Sequence, residues 1–139
     1  MDYSLNRPDK TIEAFQQALS INLERADAWY SLGLTYILLN QLAKAIEAFR
    51  QALSINPGNA NIWYNLGTMY GKLNQYDQAI EAFQQALRIN PEHAQAWREL
   101  GLAHHLSGHY EQVTEVYKQL KVHAPRKADS FLRQVVMPG

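Results

Sequence analysis

The sequence predicts an all-α repeat array, in which antiparallel helix pairs follow one another along the chain. Three observations carry this. Trp29, Trp63 and Trp97 stand 34 residues apart, in the similar runs ADAWYSLGLTY from Ala26, ANIWYNLGTMY from Ala60 and AQAWRELGLAH from Ala94. Residues 26–59 agree with 60–93 at 20 of 34 positions. Pro57, Pro91 and Pro125 recur at the same interval. A fixed period of about 34 residues marks a helical array whose units are too small to bury a core alone.

The chain begins with a half-unit, 1–25. Its stretch RPDKTIEAFQQALS at 7–20 matches Gln75–Arg88, which makes it the second helix of a unit whose first helix is missing. Leu23 stands where the closing proline is expected, and Ile12, Phe15 and Leu19 are expected to lie exposed.

Three units follow, 26–59, 60–93 and 94–127, with helices predicted near 26–39 and 43–55, 60–73 and 77–89, and 94–107 and 110–122. In the second unit Trp63, Leu66, Gly67 and Tyr70 recur at three- and four-residue steps, one face of a helix. Ala79, Ile80, Ala82, Phe83, Ala86 and Leu87 do the same on the next helix. Between them Asn74, like Asn40 before it, tolerates the left-handed conformation that ends a helix, and Gly108 serves the third unit. Proline lacks a backbone donor and pushes its predecessor out of the helical region, so each proline closes a unit.

Glycine inside a helix costs about 1 kcal/mol relative to alanine. Gly33, Gly67 and Gly101 therefore imply a repeated close approach, expected against the small Ala45, Ala52, Ala79 and Ala86 of the paired helix. The tryptophans with Phe49, Phe83 or Tyr117 are expected to fill the wider gaps. The third unit departs from the pattern. His104 replaces a tyrosine, and Val113 and Leu120 replace alanines, so its second helix must stand off or tilt. The chain closes with a partial helix, 128–139, with Phe131 in the place of tryptophan and Pro138-Gly139 as a stop.

W-x-x-L-G-x-x-Y, then A-x-x-x-F-x-x-A, then a closing proline, resembles the tetratricopeptide repeat over residues 26–127. The resemblance implies one domain, 1–139, folded as a right-handed α-solenoid of antiparallel helix pairs. It also implies that the first helices line a concave groove that binds a peptide or protein segment. A subset of the family clamps a C-terminal carboxylate with lysine, arginine and asparagine. Only Asn65 matches that set here, so such clamping is not expected. The asparagine ladder of protein O-glycosyltransferase repeats would fall on Ser31, Asn65 and Glu99, and one rung of three is asparagine.

Composition bounds the alternatives. Lys plus Arg and Asp plus Glu are both 13, so the net charge is zero and no basic stripe invites nucleic acid. No apolar run is long enough for membrane insertion, and the first residues do not form a signal peptide. Cysteine is absent, which fits a cytoplasmic protein, or a periplasmic domain of a longer one. No cofactor, metal or catalytic group is expected. His104, His105 and His109 are separated by the helix end at Ser107-Gly108, and Glu47, Glu81 and Glu115 recur on a solvated face.

The site is expected on the first helices, at residues off the Trp–Leu–Gly–Tyr stripe. These are Asp27, Tyr30, Leu34 and Ile37; then Asn61, Tyr64, Asn65 and Thr68; then Arg98, Leu102 and His105. Leu38 and Leu106 lie either in this groove or partly under the next unit. The expected function is a non-enzymatic protein-interaction scaffold. A self-assembly module whose half-units complete one another, and a docking fragment of a larger enzyme, are the alternatives.

Overall fold

The computed structural model describes residues 8–22 and 24–135, so Leu23 and Pro138-Gly139 lie outside the described residues. Eight helices are described: α1 (Pro8–Ile21), α2 (Ala26–Leu38), α3 (Leu42–Ile55), α4 (Ala60–Lys72), α5 (Tyr76–Ile89), α6 (Ala94–Leu106), α7 (Tyr110–His123) and α8 (Pro125–Val135). Each packs chiefly on its neighbours in sequence, which gives an all-α solenoid. Its buried residues fall into three successive clusters around Leu32, Phe49 and Phe83.

The turn within each unit follows from one motif. Asn40 (φ 56°), Asn74 (φ 60°) and Gly108 (φ 79°) take the left-handed conformation. The next N–H then reaches back to a helix carbonyl: Gln41 to Tyr36 and Gln75 to Tyr70 at 2.9 Å, and His109 to His104 at 2.8 Å. Between units, the Asn56 and Asn90 side chains accept from the Gly58 and Glu92 N–H groups, and Pro57 and Pro91 stand inside these bends. Asn59 caps α4 by accepting from the N–H groups of Asn61 and Ile62. Pro125 differs from the other two: it opens α8 as its first residue, where a missing N–H is harmless. The last helix therefore starts three residues earlier than expected.

Three packing expectations need correction. Gly33 and Gly67 face the rings of Phe49 and Phe83, not the alanines, and an added Cβ would stand 2.6 and 2.7 Å from those rings. The alanines are buried, but the ring edge occupies the room that glycine leaves. In the third unit this room is filled by Phe131 of α8 with Val116, not by Tyr117. Tyr117 is only half-buried, while Phe131 is fully buried and α8 covers the end of its own array. The tryptophans are half-buried rather than core. The indole N–H groups of Trp63 and Trp97 donate to the carbonyls of Pro57 (2.8 Å) and Pro91 (2.7 Å), tying helix to inter-unit bend.

The N-terminal expectation also changes. Leu19 is buried against Ala28, Leu32 and Ala48, and Ile12 and Phe15 are half-covered by the same cluster. The helix that follows α1 shields it as α4 shields α3. Phe131 is enclosed in its own chain, so this ring is not what the C-terminal half-unit offers to a second copy. The larger Val113 and Leu120 are buried, and α7 lies less closely on α6 than α3 does on α2.

Candidate functional site

Side-chain bonds join the first helices of successive units into one surface. Asn65 Nδ2 donates to the Tyr30 hydroxyl (3.4 Å), the Tyr64 hydroxyl donates to Gln95 Oε1 (3.1 Å), and Arg98 Nη2 donates to Gln134 Oε1 (2.5 Å). Each bond spans about one repeat in sequence, so it locks α2 to α4, α4 to α6 and α6 to α8. A fourth runs through His93, whose Nδ1 accepts the Ala96 N–H at the start of α6. That leaves the proton of a neutral ring on Nε2, which donates to Asn61 Oδ1 at 3.3 Å.

Tyr30 and Tyr64 are less free than their helical phase implies. Their rings lie 5.9 and 5.8 Å from Phe49 and Phe83, and Tyr64 also packs on His93 at 4.9 Å. The phenylalanines that press on Gly33 and Gly67 extend beneath these tyrosines, so both rings are half-buried. Burial, then the neighbouring Glu99 carboxylate, raises the Tyr64 pKa. Arg98 Nη1 donates to Glu99 Oε1 at 2.8 Å, a pairing of adjacent residues on the same helix.

The other expected residues divide. Leu34 is exposed, Ile37 packs half-buried on the central cluster, and Leu102 does so on the C-terminal one. Asp27 is exposed and engaged with Arg25 at 3.1 Å, whose hydrogen bond holds its carboxyl below the usual carboxylate range. His105 turns towards Tyr110, edge to face at 5.9 Å. Leu38 and Leu106 are exposed, so the next unit does not cover them. His104, beyond the expected set, is buried and shares a 3.2 Å Nδ1···Nδ1 contact with His109. Among the described residues no three His, Asp or Glu side chains gather as metal ligands.

A cavity of about 260 Å³ opens between α4, α5 and α6. It brings together Thr68, Gly71 and Lys72 of α4 with Glu99, Leu102 and Leu106 of α6. Two larger clefts lie between successive second helices. One of about 590 Å³ holds Arg50, Trp63, Tyr70 and Glu81; another of about 430 Å³ holds Gln16, Trp29, Tyr36 and Glu47, the same positions one unit earlier. They recur because the unit recurs, so they report repeat packing rather than a specialised site. Sequence reading missed them by placing the tryptophans wholly in the core.

The family model described as Tetratricopeptide repeat matches residues 26–59 and 60–93. Among solved structures, the chain superposes on a crystal structure of MamA with a TM-score of 0.82 and 26% identity, covering 91% of this chain and 74% of that one. A second MamA crystal structure gives 0.79 and 27%, over 88% and 67%. YrrB, described as a TPR protein with an unusual peptide-binding site, gives 0.79 and 24% over 88% of this chain and 63% of its own. At that identity the likeness is one of fold. No curated protein matches the sequence.

Proposed function

From its membership of the tetratricopeptide-repeat proteins, we propose that this chain is an interaction scaffold whose inner face, formed by α2, α4 and α6, binds a segment of a partner protein. The fold supports the scaffold role in general terms. The observation that carries the finer reading is the set of inter-repeat bonds Tyr30–Asn65, Tyr64–Gln95 and Arg98–Gln134. They hold side chains from successive units in place before any ligand arrives, which lowers the ordering cost of binding. The exposed Leu34 and Leu106 beside these polar groups suit a segment with apolar anchors and a polar backbone.

The test is selection of a random-peptide display library on the wild-type chain, with recovered peptides measured on two variants. Leu34→Asp with Leu102→Asp alters the inner face, and Gln51→Asp with Arg88→Asp alters the second helices. Loss of binding in the first variant alone supports the inner face. Equal binding to both would place the ligand elsewhere.

A further inference from the structure

The helix α4 contains two glycines with opposite surroundings. Gly67 is forced by the Phe83 ring, whereas a Cβ on Gly71 would meet nothing within 4 Å. Gly71 has no positive φ and ends no helix, so neither backbone nor packing calls for glycine there. The positions one repeat away carry Ile37 and His105. Likewise Thr68 stands where the other units have Leu34 and Leu102, and Lys72 where they have Leu38 and Leu106. Small or polar residues in the second unit thus leave the inner-face cavity that bulky ones would fill.

We propose that Gly71 opens a specificity pocket for one bulky aliphatic side chain of a bound protein segment, with Lys72 at its rim pairing an acidic residue beside that side chain. This rests on the inner face being the binding face. The volume, about 260 Å³, lies below the ~300–1,000 Å³ of pockets for drug-sized ligands and suits a single side chain. The wall is apolar: Leu102, Leu106, Phe83 and Ala79 contribute to it. Its hydroxyls are already committed, Thr68 to the Tyr64 carbonyl (3.0 Å) and Tyr76 to Asn74 Oδ1 (2.9 Å), so an aliphatic occupant leaves neither hydroxyl unmet.

Charge sets the flanking residue. Of the two ionised groups at the cavity, Glu99 is paired with Arg98. Lys72 is exposed and has no hydrogen-bond or ion-pair partner among the described residues. The uncompensated charge is therefore a cation, which favours a carboxylate on the segment and disfavours a lysine or arginine.

The experiment uses the full chain and the random-peptide display library as probe. Wild type is expected to enrich peptides carrying Leu, Ile or Met next to Asp or Glu. Gly71→Ile, which installs the residue of the first unit, should melt at or above the wild-type temperature yet bind those peptides at least about tenfold more weakly. Lys72→Glu should shift the enriched flanking residue from acidic to basic. If the peptides bind Gly71→Ile and Lys72→Glu as they bind wild type, but fail on the Leu34→Asp, Leu102→Asp variant, the pocket proposal is overturned and the inner-face reading stands. If no peptide depends on any inner-face residue, both are overturned.

Discussion

The ring of Phe83 lies so close to the backbone of Gly67 that a Cβ at position 67 would stand 2.7 Å from Cε1. Alanine is the better helix former, yet here it must displace a buried ring. Gly67→Ala is expected to destabilise the chain by about 1–3 kcal/mol. Phe83→Leu in the same chain should recover part of that loss, a coupling that a double-mutant cycle in urea measures. Gly71→Ala, one turn along the same helix, should be neutral or stabilising by up to about 1 kcal/mol. Equal losses at both glycines would contradict the packing described.

Trp63→Ala should cost about 2–3 kcal/mol, below the ~3–5 kcal/mol of a fully buried aromatic. The indole is half-buried and its N–H serves the Pro57 carbonyl. Trp63→Phe should recover most of the packing and lose the bond, leaving a deficit of about 1 kcal/mol. A thermal melt indistinguishable from wild type in the alanine variant would show that the tryptophan ties nothing together.

Phe131→Ala is expected to destabilise by about 3–5 kcal/mol, because the ring is fully buried against Gly101 and Val116. In an array, the loss is felt first by the units in contact, α6 to α8. Limited proteolysis should therefore cut within 110–135 before it cuts α4 or α5. Uniform cleavage along the chain would contradict this enclosure.

His104 gives a pH dependence. Burial, then the neighbouring His109, lowers its pKa below 6.5 in the fold. The unfolded chain then takes the proton more readily. The stabilising contribution is complete above that value and is lost as pH falls through the lower folded-state pKa. The melting temperature should drop with acidification, and His104→Tyr, the residue type of the first two units, should flatten the drop. Identical pH slopes in the two proteins would rule out His104 as the cause.

Much of the fold was legible in the sequence because each local signal appears more than once. Asn40 and Asn74 mark the same turn, and the six helices of the three units begin and end within a residue of expectation. The failures are tertiary. No period reveals that Phe131, from the following helix, would replace Tyr117 beside Gly101. Helical phase placed Tyr30 and Tyr64 off the core stripe of α2 and α4 but did not show the rings beneath them. The Gly71 cavity was hidden for a related reason: an absent side chain makes a hole only when no neighbour fills it.

The most direct test of the inner-face account is amide chemical-shift mapping of the chain titrated with a peptide recovered from the display selection. Perturbations are expected to concentrate in α2, α4 and α6, strongest near Thr68, Gly71, Lys72 and Leu102. Perturbations concentrated instead in α3, α5 and α7, around Trp63 and Glu81, would contradict it.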